Sequence, residues 1–244
     1  MNIVPGKRLS KEEVVEVNRT LEGAAPEDVL RWALSTFGRR IALAWSGAED
    51  VAVLDMMHRI DPRAARVFTL DTGRLNPETY ALIDEVQTKY QIPIEIQFPD
   101  ADAVQKMVGE KGINLFYRSL EKRKECCGVR KVEPLNRMLR SLDGWMTGLR
   151  RTQAVTRGKL AKVELDFGHG QIVKVNPLAD WTTQQTFEYL KAHDVPTNKL
   201  HAMGFPSIGC APCTRAVKPG EDERAGRWWW ENPESKECGL HPSP

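Results

Sequence analysis

Ile41-Ala42-Leu43-Ala44-Trp45-Ser46-Gly47-Ala48-Glu49-Asp50-Val51-Ala52-Val53-Leu54 passes from a short unbroken apolar run, through a glycine turn, into a helical repeat. An apolar run of that length reads as a strand buried on both faces, and Val51, Leu54 and Met57 recur at the spacing of one helix face. The same alternation continues downstream. Val67-Phe68-Thr69-Leu70 is a second strand, and Asn76-Pro77 supplies an N-cap and a first-turn proline for a helix carrying Ile83, Val86 and Tyr90. Ile94-Glu95-Ile96, Trp145-Met146-Thr147 and Ile172-Val173-Lys174-Val175 read as further strands, with a helix from Gln184 to Lys191. Strands alternating with helices imply right-handed crossovers, so the expected fold class is α/β, a doubly wound and mainly parallel sheet flanked by helices.

Upstream, Ser10-Lys11-Glu12-Glu13 has capping-box spacing and a second helix begins near Pro26, which makes the first forty residues helical and peripheral. Downstream, seven of the fifteen prolines follow residue 195, so residues 201–244 are expected to form an irregular, mobile C-terminal segment appended to a nucleotide-binding α/β domain of residues 1–200. With 244 residues, 41% of them hydrophobic, the chain buries a substantial core. A net charge of +2 argues against a dedicated nucleic-acid binder. Met1-Asn2-Ile3-Val4-Pro5 leads into no apolar signal core and no apolar run reaches membrane-spanning length, so the expected location is the cytoplasm, where thiols stay reduced.

Five cysteines are present: the vicinal pair Cys126-Cys127, the pair Cys210 and Cys213, and Cys238. Two tight pairs far apart in sequence suggest one metal or cluster site closed by the fold; four thiolates suit iron-sulfur or zinc alike. Cys238 is left over for chemistry, with His241, Arg224 and Arg227 near it in sequence to favour its thiolate. Lys122, Arg123, Lys124, Arg130 and Lys131 surround the first pair, as cations beside an anionic site should.

In an open parallel sheet, ligands bind beyond the carboxyl ends of the strands. Three such ends carry Ser46-Gly47-Ala48-Glu49-Asp50, Leu70-Asp71-Thr72-Gly73-Arg74 and Thr147-Gly148-Leu149-Arg150-Arg151. A tight turn opening a helix cradles oxyanions through its amides, and guanidinium groups suit phosphate or sulfate, so together these describe a pocket for an anionic nucleotide. The chain has no GxxxxGK[ST] loop and no GxGxxG at a strand-helix junction, which disfavours kinases, ordinary NTPases and dinucleotide dehydrogenases.

The turn Ser46 to Asp50 resembles the pyrophosphate loop of the adenine-nucleotide alpha-hydrolase-like superfamily, with Ala48 for its second glycine and Val51 for its hydroxyl, departures that speak against ATP cleavage. Together with Leu70 to Arg74, Cys126 to Leu135, Thr147 to Arg151, Cys210-Ala211-Pro212-Cys213, Gly220 to Trp228 and Glu237 to His241, it resembles the assimilatory adenylylsulfate (APS) reductases of the phosphosulfate reductase family. The resemblance runs from about residue 40 to the C-terminus.

It implies a [4Fe-4S] cluster on Cys126, Cys127, Cys210 and Cys213, with Lys131 balancing its charge. It further implies Cys238 as the nucleophile on the sulfur of adenosine 5′-phosphosulfate, giving an S-sulfonate that thioredoxin releases as sulfite. The substrate site it implies comprises Ser46, Gly47, Asp50, Asp71, Thr72, Gly73, Arg74, Lys131, Arg150, Arg151, Arg224, Arg227 and His241. The alternatives are the same reaction on 3′-phosphoadenylylsulfate, an iron-sulfur tRNA-thiolation enzyme, and a non-enzymatic redox sensor; homo-oligomerisation stays open. Trp228-Trp229-Trp230 reads as packing of the tail rather than as an adenine platform.

Overall fold

A six-stranded sheet in the order β3-β2-β1-β4-β6-β5 organises the chain in the computed structural model, which describes residues 6, 8–154, 157–232, 236 and 240. The strands are β1 (Ile41–Ala44), β2 (Val67–Leu70), β3 (Ile94–Gln97), β4 (Gly144–Met146), β5 (Val163–Asp166) and β6 (Ile172–Val175). All pairings are parallel except that of β5 with β6. The chain steps outward from β1 through β2 to β3, then returns to place β4 on the other side of β1. That reversal is the topological switch point of a doubly wound sheet, and the crevice between β1 and β4 is where such sheets bind ligands.

Period-two alternation distributes the strands' side chains to two cores. Ile41 and Leu43 of β1, Val67 of β2, Met146 of β4, and Val173 and Val175 of β6 join the larger core. This core packs against α1 (Lys11–Leu21), α2 (Pro26–Phe37), α3 (Val51–Ile60), α4 (Pro77–Tyr90) and α8 (Thr183–Ala192). Ala42, Phe68, Trp145 and Ile172 point to the opposite face and meet Leu135, Met138 and Leu139 of α7 (Glu133–Leu139). Two further helices are α5 (Ala101–Lys111) and α6 (Leu120–Cys127).

The capping box at Ser10 is formed, with Glu13 N donating to the serine hydroxyl and the Glu13 carboxylate accepting from Ser10 N. Asn76 precedes α4 as expected, but its side chain does not cap the helix; Nδ2 donates to Gly209 O at 3.3 Å and so ties the helix to the cysteine-bearing segment. Helix α3 buries every residue from Val51 to Met57 rather than one face, because α2 and α8 both pack on it. Its buried Asp55 is satisfied by Tyr90 Oη at 2.8 Å, Tyr189 Oη at 2.6 Å and Arg59.

Between α6 and α7 the helix does not break. Gly128–Val132 forms a π turn, placed immediately after Cys126-Cys127. Pro134 explains it: without an N–H, and with its ring pressing on the preceding turn, proline cannot continue an α ladder. Among the described residues no helix is long and apolar enough to cross a membrane.

Candidate active site

A cleft of about 200 Å³ lies beyond the carboxyl ends of β1, β2 and β4. Its floor is built by close backbone approach. At Gly47, with φ of +77°, an added Cβ would lie 2.7 Å from Thr79 Cγ2; at Gly148 it would lie 2.3 Å from Asp50 Cβ. A larger residue at Gly47 would push the loop after β1 off α4, and one at Gly148 would force the loops after β1 and β4 apart. Ser46, Ala48, Glu49, Asp50, Thr72, Thr147 and Gly148 all reach the cleft wall.

Part of the loop after β1 is taken up by the protein itself. Ser46 N and Ala48 N donate to the Asp50 carboxylate at 2.7 and 3.2 Å, so the protein's own carboxylate takes those amides. Burial pushes Asp50 up to about 7, against the pull of those two amide donors. Asp71 likewise is engaged within the protein, accepting from Gly73 N of its own loop at 2.7 Å and from Tyr80 Oη of α4 at 2.9 Å.

The arginines divide in a way that residue type could not foretell. Arg150, expected on the substrate, is buried behind the wall, donating to Glu49 Oε1 at 2.8 Å and to Thr183 Oγ1 at 3.3 Å. Arg151 points away, to Leu160 O at 2.7 Å and Glu22 at 3.2 Å. Arg74 donates to Ile113 O and Asn114 Oδ1, and faces the cysteines instead of the cleft. Arg157, which sequence reasoning missed, does line the cleft with Lys131, Arg224 and Arg227. The only signal for it was a third arginine after β4.

All four expected cysteines line one second cavity, together with Arg74, Arg123, Arg130, Lys131 and Trp228. The loop after β2 joins the two pairs: Thr72 Oγ1 contacts Cys210 Sγ at 3.3 Å, while Thr72 O accepts from Arg130 NH1 at 2.6 Å. Ala211 N donates to Arg74 O at 2.8 Å and seats the second pair on that loop. Burial opposes ionisation of Cys210, yet Lys131 and the Thr72 hydroxyl outweigh it and hold the thiol below its usual range. Burial pushes Cys213 up to about 12, helped by the negative charge of Cys210, and burial raises Cys126 as well.

Among the described residues no group of three or more His, Cys, Asp or Glu converges on a single metal-ion position. The donor set nevertheless fits a cluster: four thiols share one cavity, with guanidinium and ammonium groups placed to offset their charge.

Lys131 and Trp228 belong to both cavities, so the thiol site and the cleft share a wall. Trp228 is buried with Arg123 and Arg227 at 4.5 and 4.7 Å from its ring centroid, which agrees with a packing role. Further along, Arg224 NH2 donates to Lys236 O at 2.9 Å, and Leu240 lines the cleft. Cys238 and His241 lie outside the described residues.

The profile of the phosphoadenosine phosphosulfate reductase domain matches residues 40–216. An adenosine 5′-phosphosulfate reductase of Burkholderia cepacia is 58% identical over 198 residues, covering 80% of this chain and 79% of that protein. The chloroplastic 5′-adenylylsulfate reductase 3 of Arabidopsis thaliana is 48% identical over 254 residues, 98% of this chain and 55% of that one. The chain thus spans about half the length of the plant relatives that it matches. Among solved structures, the phosphoadenylyl-sulfate reductase of Candida auris, in a phosphate complex, superposes with a TM-score of 0.74 at 28% identity, covering 86% of this chain and 99% of that one.

Proposed function

Because this chain belongs to the phosphoadenosine phosphosulfate reductase family, we propose that it reduces adenosine 5′-phosphosulfate to sulfite and AMP in sulfate assimilation. The observation that carries the reading is the convergence of Lys131, Arg157, Arg224 and Arg227 on one cleft at the strand ends, whose wall also holds Leu240. A phosphosulfate is a doubly anionic group, and four cations in a partly enclosed cleft stabilise both it and the AMP phosphate that departs. The 58% identity to a protein named for this substrate supports APS rather than its 3′-phosphorylated relative.

Cys238 is the nucleophile in this reading. Lys236, two residues before it, is bonded to Arg224, and Leu240, two residues after it, sits at the cleft. The Cys238 thiolate attacks the sulfur of APS, the bond from sulfur to the phosphate oxygen breaks, and AMP leaves with the electron pair. An S-sulfonate remains on Cys238. A dithiol protein, thioredoxin by family resemblance, attacks Cys238 Sγ through one thiolate and releases sulfite. Its second thiolate then resolves the mixed disulfide and regenerates Cys238, so the dithiol supplies both electrons. His241 orients the phosphosulfate.

Cys126, Cys127, Cys210 and Cys213 hold a [4Fe-4S] cluster in this reading, which when bound supplies an anionic centre and fixes the cysteine-bearing segments. Lys131 faces both that site and the cleft and balances charge between them. The thiols require a reducing compartment such as the cytoplasm.

Intact mass of the anaerobically purified protein after exposure to APS or 3′-phosphoadenylylsulfate without reductant tests the proposal. A gain of one SO₃ group mapped to Cys238 with APS, released as sulfite by reduced thioredoxin, is the expected result. Equal labelling by both nucleotides widens the substrate, and no adduct with either overturns the reading.

A further inference from the structure

Arg123 stands in Leu120-Glu121-Lys122-Arg123-Lys124-Glu125, a stretch whose composition suggests a solvated helix face, yet its side chain is wholly buried. It lies one helical turn before Cys127. Its Nε and NH2 donate to the two carboxylate oxygens of Glu231 at 2.9 and 2.7 Å, and its guanidinium lies 4.5 Å from the ring centroid of Trp228. A guanidinium withdrawn from water in this way persists only where its donors and its charge are both answered.

Glu231 and Trp228 both belong to the C-terminal segment, while Cys127 of its own helix is a further partner. Trp228 N donates to Cys213 O at 3.0 Å, and Glu231 N donates to Trp228 O at 2.8 Å. Trp228 has φ of +41°, a left-handed conformation that a bulky residue adopts only when its surroundings impose it. Arg227, stacked near the same ring, reaches the substrate cleft, whereas Arg123 does not line the cleft at all. An unbroken series of contacts therefore runs from the helix bearing Cys126 and Cys127, through Arg123 and Trp228, to Arg227.

We propose that Arg123 is a positioning residue: by gripping Glu231 and Trp228 it sets the placement of the segment that presents Arg224 and Arg227 to the substrate, and so ties the thiol site to nucleotide binding. The inference rests on the proposed function. It is tested on the full chain purified anaerobically, with 5′-AMP as the probe, using Arg123→Met, Glu231→Gln and the double variant.

Each single variant is expected to weaken AMP binding by about tenfold, the size of effect seen when a charge-assisted hydrogen bond is lost or displaced. The double variant is expected to lose less than the sum, because both changes break one grip. Limited proteolysis should cleave within residues 214–232 faster than in the unaltered protein. Iron content per chain is recorded for each variant, so that metal loss is distinguished from misplacement.

Folded, iron-replete Glu231→Gln protein with AMP affinity within about twofold of the unaltered chain overturns the proposal, and so does unchanged resistance to proteolysis. If Arg123→Met does not fold, Glu231→Gln, which keeps the side-chain shape, decides alone. An unaltered protein that binds no AMP sinks the substrate reading instead, and the positioning role falls with it.

Discussion

Arg150 donates to Glu49 across 2.8 Å with both side chains sealed from solvent, joining the loop after β4 to the loop after β1 behind the cleft. The pair holds Glu49 in the cleft wall through the NH2 group of Arg150. Removing one partner of a buried ion pair strands the other charge, a loss of about 3–5 kcal/mol. Arg150→Met should therefore lower unfolding free energy by about that amount in urea denaturation. A loss below about 1 kcal/mol, typical of exposed pairs, would refute the buried arrangement.

Arg151 and Arg157 provide the complementary comparison. Arg157→Ala removes a cation from the cleft and should raise KM for APS about tenfold or more, as loss of a hydrogen bond to a charged group does. Arg151→Ala should leave KM within about twofold, since Arg151 is engaged by Leu160 O and Glu22 on another face. Steady-state kinetics on the two variants reads both expectations, and reversal of the order would reassign the loop.

Asp50 makes stability depend on pH in a defined direction. Its folded-state value, about 7, stands above the ordinary aspartate value of about 3.9, so the folded protein holds a proton that the unfolded chain releases. That contribution is fully present below about pH 4 and disappears as pH rises towards 7. Denaturation of the unaltered protein and Asp50→Asn between pH 4 and 8 should show their stability difference changing up to about pH 7 and constant above it. A difference that is flat throughout would mean that the amides of Ser46 and Ala48 keep Asp50 ionised.

Gly148→Ala tests the closeness of the two loops. The new methyl would fall 2.3 Å from Asp50 Cβ, so the loop after β1 must move. Overpacking of this kind costs about 1–3 kcal/mol, and displacement of the floor should weaken AMP binding as well. Thermal unfolding and titration with AMP measure the two effects; an alanine protein with unaltered values would show that the contact is looser than its geometry.

The strands of the doubly wound sheet were legible because parallel strands covered on both sides are apolar throughout, as in Ile41 to Ala44 and Val67 to Leu70. Strand β5 was missed: Val163-Glu164-Leu165-Asp166 is an edge strand half open to solvent, and its polar residues diluted the pattern. Helix α6 was missed for a different reason, since the residues it buries include Arg123, whose acidic partner is remote in the chain. The grouping of Cys126, Cys127, Cys210 and Cys213 was readable from spacing. Which of Arg150, Arg151 and Arg157 meets the cleft was not, because the answer depends on Glu49, about a hundred residues earlier in the chain.

The π turn from Gly128 to Val132 acts as a phase shifter. An α-helix advances about 100° per residue, so one extra residue in its ladder turns everything before it by roughly a quarter of a revolution relative to everything after. The stretch from Leu120 to Leu139 can therefore serve two directions that a regular helix would not reconcile: Leu135, Met138 and Leu139 stay on the sheet, while Cys126 and Arg130 are aimed at the thiol cavity. Deleting a single residue there would remove the phase shift and turn the cysteines out of alignment with the thiol cavity, leaving the hydrophobic packing of α7 as it is.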